Sequence, residues 1–147
     1  MNEVHTRNAA NTEPMEAPSA ALPSTVSMQQ TLDLGVIGNG SFGALIDQKA
    51  RVVWSCLPSF DGDPAFCALL SPRDHDGGDF AIELVDLASS EQHYLPNTAI
   101  LRTVLTDIRG GSLEILDFAP RWRQHDRFYR PVSNIRQVRP LSGHPRG

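Results

Sequence analysis

Eight residues, Ala44 to Arg51, separate the stretch "GVIGNGSFG" from the next apolar run, Val52-Val53-Trp54, and that gap limits the fold more than any other feature. Gly38, Gly40 and Gly43 follow Leu34, Val36 and Ile37 in the order G-x-G-x-x-G, the order of a dinucleotide-binding loop. Such a loop must open a helix that carries the chain to a parallel strand, and that crossover takes about a dozen residues or more. The gap is too short for it, and Asp47, Gln48 and Lys49 make a polar cluster suited to a turn. A period of two fits better. Phe42–Ile46 and Arg51–Ser55 read as strands joined at Asp47–Ala50, with Asn39-Gly40 as a tight turn whose two central residues take positive φ. The expectation is an antiparallel meander, and a dinucleotide-dependent oxidoreductase is the weakest reading.

A chain of 147 residues can bury one real core. Its net charge of -4 carries no footprint for nucleic acid, although Arg121, Arg123, Arg127, Arg130, Arg136 and Arg139 gather in the last third among Trp122, Phe128 and Tyr129. A solvated or interdomain face is the expected role of those arginines, ahead of a stacking surface for single strands. Cys56 and Cys67 are too far apart for a C-x-x-C pair and read as buried free thiols. No apolar stretch is long enough to span a membrane and no basic-then-apolar leader is evident, so the expected setting is the cytoplasm, without membrane contact.

Residues 1–30 are rich in Ala, Asn, Pro, Ser and Thr without apolar periodicity and read as a disordered tail. From residue 31 onwards, short β-branched or apolar segments recur: Phe80–Leu84, Gln92–Leu95, Ala99–Leu105, Gly111–Phe118 and Asn134–Val138. Gly110-Gly111 joins two of them as a hairpin. Asp63 and Pro64 suit the start of one short helix with Phe66, Leu69 and Leu70 inward. The fold class expected is all-β, an antiparallel sandwich, incomplete within these residues, with that one helix.

No catalytic centre emerges. The loop Asp74-His75-Asp76-Gly77-Gly78-Asp79 lacks the twelfth-position Glu of a calcium loop, so no metal or other cofactor is expected. Gly38-Asn39-Gly40-Ser41-Phe42 lacks the last glycine of a nucleophile elbow. Alternation places Glu114 opposite Leu113 and Ile115, a solvent-facing position, and nothing pairs it with Glu83, Asp86, Glu91 or Asp117 for acid and base work. The densest aromatic cluster is "VVWSCLPSFDGDPAF", where Trp54 and Phe60 suit an apolar wall and Asp61 its polar group. Core or domain-interface filling is the plainer use of such aromatics.

Five segments in register carry a family likeness: "LGVIGNGSFGALID", "VVWSCLPSFDGDPAFCALL", "YLPNTAILRTVL", "GSLEILDFAPRW" and "YRPVSNIRQVRPLSGHPR". Together they resemble the N-terminal region of bacterial and archaeal glycoside hydrolase family 15 proteins, the glucoamylase and trehalase-like group, over residues 31–146. The resemblance implies a β-sandwich followed by a catalytic (α/α)6 barrel whose two glutamates hydrolyse α-glucosidic bonds of a glucan or of trehalose. It places those glutamates outside residues 1–147, so the chain alone is expected to be inactive, with the barrel as its partner. Trp54, Cys56, Leu57, Pro58, Phe60 and Asp61 match the W-x-C-L-P-x-F-D signature, and Trp54, Phe60 and Asp61 are the substrate- or barrel-facing candidates. A stand-alone carbohydrate-binding or interaction module is the alternative if the reading frame stops at Gly147.

Overall fold

The computed structural model describes residues 32–70, 78 and 80–147. The N-terminal segment read as a tail lies outside the described residues, as does the loop weighed for a metal except for Gly78. One sheet runs β1 (Gly35–Gly38), β2 (Gly43–Ile46), β3 (Val52–Cys56) and β4 (Pro64–Phe66), in that order. Further along come β5 (Leu87–Tyr94), β6 (Leu101–Asp107) and β7 (Ser112–Phe118), then the small pair β8 (Trp122–Gln124) and β9 (Arg127–Tyr129), then β10 (Ile135–Ser142). The second sheet has the order β10-β7-β6-β5, and among the described residues β8 pairs with β9 alone. Every strand pair is antiparallel. The all-β expectation holds, and the glycines sit in a meander with no crossover helix.

Alternation explains which side chains meet. On β2, Ala44 and Ile46 point inward while Gly43 and Leu45 point out. On β6, Leu101, Thr103 and Leu105 point inward. Ile37, Ala44, Ile46 and Val52 of the first sheet pack with Leu101 of the second, and Leu105 and Ile115 continue the core with Ala50 and Leu84. Each fully buried Ile or Leu of this kind contributes about 1.5–3 kcal/mol. The free edge of β1 is closed by the second sheet: the Tyr94 hydroxyl accepts from the Val36 N–H at 2.7 Å and donates to the Val36 carbonyl at 2.8 Å.

Several expectations need correction. The short helix is absent: Pro64–Phe66 is a strand, with Pro64 opposite Cys56 across a register shift, and only a 3-10 turn follows at Ala68–Leu70. Proline is admissible there because the irregular pairing demands no ladder bond from it. Phe80–Leu84 is not a strand; Phe80 makes an isolated bridge to Val52, and Leu84 anchors the core from irregular chain. In the Asn39-Gly40 turn only Gly40 takes positive φ, at 88°, because the Asn39 side chain accepts from the Ser41 N–H and shapes the turn itself. Cys56 is buried and Cys67 only half-buried, and the two do not form a disulfide.

Glu114 is the largest departure. Its alternation is as expected, on the face opposite Ile115, yet it is buried because Arg102 and Arg139 from the flanking strands close over it. Arg139 and Arg102 both donate to the carboxylate, and these bonds, that from Arg139 foremost, hold it below the usual carboxylate range against its burial. Asp117 lies on the inner face, opposite Leu101, fully buried. Arg136 of β10 meets it through two parallel bonds of 2.7 and 3.0 Å. The same guanidinium donates to the Phe80 carbonyl and lies 4.8 Å above the Phe80 ring. Burial pushes the Asp117 carboxyl up, and Arg136 pulls it part of the way back.

Candidate functional site

The outward face of the first sheet has no backbone reason to stay bare. Cross-strand register sets Val36 opposite Leu45 and Leu45 opposite Trp54, so three apolar side chains form one row. One step along, Gly38 lies opposite Gly43 and leaves a flat place in the sheet. Phe60 occupies it: a Cβ on Gly43 would stand 2.9 Å from the Phe60 ring. Gly43 therefore leaves the room in which the Phe60 ring is seated. Val36 is 56% exposed and Phe60 is 63% exposed, so this face presents apolar surface to solvent.

Phe60 is carried by the loop that follows β3. The Leu57–Pro58 peptide is cis, the Leu57 N–H donates to the Asp63 carbonyl, and the Gly62 N–H donates to the Ser59 carbonyl, which closes the loop on itself. Ser59 Oγ donates to Asp61, and that bond, with one from its own backbone N–H, holds the Asp61 carboxyl below its ordinary value. Asp61 is fully exposed and ionised, a fixed negative charge beside an exposed ring. Trp54, Phe60 and Asp61 thus lie on or beside the same outward face, with the Asn39-Gly40 turn at its end.

Asn39 does more than turn the chain. Its side chain is 2% exposed, and its Nδ2 donates to the carbonyls of Pro120 and Pro131 at 3.1 and 2.8 Å. Those two prolines bracket β8 and β9, so Asn39 clamps the base of a projecting two-stranded arm. The arm turns at His125 and Asp126, both with positive φ, the geometry that matches the twist of paired strands. Trp122 and Tyr129 stack across it, ring centroids 5.7 Å apart. Arg130 lies over the Phe128 ring at 5.9 Å and beside Gly40. All ten residues Arg121–Arg130 are exposed. The sequence reading passed over this arm, because its turn is neither Asn-Gly nor Asp-Gly. The alternation in "WRQ" and "RFY" around a polar pair was the available signal.

The end of the molecule therefore displays two unlike patches joined at Asn39 and Gly40. One is apolar with Asp61 and Asp63; the other is aromatic with Arg121, Arg123, Arg127 and Arg130. Neither assembles a nucleophile with a base, and among the described residues no cluster of three or more His, Cys, Asp or Glu is arranged for a metal. Apolar surface framed by fixed charge is suited to contact with another macromolecular surface. No helix among the described residues is long and apolar enough to cross a membrane.

A family model described as trehalase-like, N-terminal, matches residues 27–139. No curated protein and no solved structure matches the chain.

Proposed function

The chain belongs to the trehalase-like N-terminal family, and from that premise we propose that it is the accessory β-sandwich domain of a glycoside hydrolase family 15-like enzyme, working in the cytoplasm on α-glucosidic bonds of a glucan or of trehalose. The catalytic acid and base belong to a separate (α/α)6 barrel domain of the same protein. Hydrolysis with inversion needs one carboxyl to protonate the leaving oxygen and a second to activate water across the sugar ring. No two carboxylates of the candidate site face each other across a pocket in that way. The sandwich acts by holding the barrel, and Trp54, Phe60 and Asp61 form the part of its surface that meets the barrel or its substrate entrance.

The family match over most of the chain carries this reading. The open apolar row of Val36, Leu45, Trp54 and Phe60 supports it, because such a face is costly to leave in water and economical to bury against a second domain. Phe60→Glu is the direct probe. The ring is exposed, so the substitution should leave the melting temperature of the isolated chain nearly unchanged. Association with the catalytic region supplied in trans should weaken by about tenfold or more, as expected for a central aromatic anchor. Calorimetry of the two purified pieces measures it, and equal affinity for Phe60→Glu and the parent would remove Phe60 from the interface.

A further inference from the structure

The two patches that meet at Asn39 and Gly40 are opposite in charge, and neither finds its counter-charge within the chain. The arm of β8 and β9 holds four of the chain's 13 Lys and Arg and one of its 17 Asp and Glu, so the remaining residues carry nine basic groups against sixteen acidic ones. The one acid of the arm, Asp126, is already paired with Arg123 at 2.7 Å. Among the described residues no carboxylate lies within ion-pair distance of Arg121, Arg127 or Arg130, and no cation lies within that distance of Asp61 or Asp63. Both patches are apolar as well: Trp122, Phe128 and Tyr129 are exposed on the arm, and Val36 and Phe60 on the row beside it. Arginine and large aromatics are the residues that most often anchor a protein interface.

The arm is stiff before it meets anything. Asn39 holds both of its ends through the Pro120 and Pro131 carbonyls, and Trp122 stacks on Tyr129 across it. A projection fixed in this way loses little freedom on binding. Its length suits the row. From Arg121 to the turn at His125 the arm reaches about 16 Å at about 3.3 Å per residue, and the row from Val36 to Trp54 spans about 10 Å across three strands.

One end of the molecule thus displays a basic projection and, next to it, an acidic apolar bed of the size to receive it. A second copy turned about a two-fold axis matches both at once, because each copy offers its arm and its bed in the same contact. Arm against arm is disfavoured, since it would set like charges together. We propose that the chain forms a two-fold dimer in which the arm of each copy lies across the apolar row of the other, with its arginines against Asp61 and Asp63. The contact involves roughly fifteen residues a side, fewer than the about 20–30 of a standard interface, so a dissociation constant of about 10–100 µM is expected. The barrel proposed above competes for the same row and displaces the second copy. The dimer is measured without the barrel, so the two readings fail separately.

The test is sedimentation equilibrium of the 147-residue chain from about 1 µM to about 1 mM, which brackets that affinity. Arg121→Glu/Arg127→Glu and Asp61→Lys/Asp63→Lys should each weaken the dimer about tenfold or more, because like charges then meet in both halves of the contact. All four residues are exposed, so both variants should melt like the parent. Mixed in equal amounts, the two variants should regain the parent's affinity: in the mixed dimer one arm-on-row contact has its signs exchanged and the other is native. A monomer at every concentration would overturn the inference. So would a dimer that ignores both variants, which would move the contact to another surface, or a mixture that stays monomeric although each variant melts like the parent. A monomer whose arm arginines bind a single-stranded oligonucleotide, or whose arm variant weakens only the association with the catalytic barrel, would give the arm to that occupant and overturn the dimer equally.

Discussion

Replacing Arg136 by methionine is expected to destabilise the chain by about 3–5 kcal/mol at neutral pH, because it strands the Asp117 carboxylate inside the sandwich. Asp117 is fully buried and receives both of its strong bonds from Arg136, whose own side chain is 4% exposed. Removing the cation leaves burial unopposed, so the Asp117 carboxyl rises further above its ordinary value of 3.8. The sign of the pH effect follows. A carboxyl whose pKa is higher in the folded than in the unfolded chain has its most favourable contribution below 3.8, and that contribution is lost as pH rises through the folded value. The Arg136→Met deficit should therefore be widest at pH 7 and should narrow as pH falls towards 4. Urea unfolding at the two pH values measures this. Arg136→Met/Asp117→Leu should recover most of the loss, since an apolar pair replaces a buried ion pair at little net cost. A deficit below about 1 kcal/mol, the scale of a surface pair, or one that widens on acidification, would show that the pair is not buried as described.

Asn39→Ala is expected to cost about 2–3 kcal/mol, from the loss of three hydrogen bonds of roughly 1 kcal/mol each. Its effect should be local. A two-stranded ribbon is marginal alone, and the Asn39 side chain ties the arm of β8 and β9 to the sheets at both ends, through the carbonyls of Pro120 and Pro131. Amide protons from Trp122 to Tyr129 should lose protection while those of β6 and β7 keep theirs. Asn39→Asp separates tether from turn: it retains an acceptor for the Ser41 N–H but sets an oxygen against two carbonyls. The arm should loosen as much as in Asn39→Ala. Hydrogen exchange by mass spectrometry reads both outcomes, and an arm equally protected in all three proteins would mean that other contacts hold it.

The legible part of this fold is the part written in short-range pattern. The eight residues from Ala44 to Arg51 excluded a crossover helix, and the apolar, β-branched runs Ala99–Leu105 and Gly111–Phe118 with Gly110-Gly111 between them foretold the central hairpin of the second sheet. The helix expected at Asp63-Pro64 failed because capping residues describe a local preference, and pairing of Ser55 with Phe66 overrode it. Glu114 was assigned to the correct face but the wrong environment, since its burial depends on arginines 12 residues before it and 25 after it. The pair Arg136–Asp117, 19 residues apart, carries no spacing signal either. At the outward face, Trp54, Phe60 and Asp61 were singled out as a group from aromatic density and from the W-x-C-L-P-x-F-D signature. The place that receives Phe60 is made by Gly43 across the sheet, and the partnership of Asn39 with prolines 81 and 92 residues away is invisible without the fold.

The proposed division of labour, a sandwich that holds and a barrel that cleaves, is tested most directly by glucose release from maltose and from trehalose. Three samples are needed: the purified chain alone, the proposed catalytic barrel alone, and the two together. The expected result is no release by the chain alone, release from one of the substrates by the mixture, and a stable complex of the two pieces on size-exclusion chromatography with light scattering. Turnover by the chain alone, persisting after repurification, would contradict the central claim, and so would a catalytic region that ignores the chain in both assays.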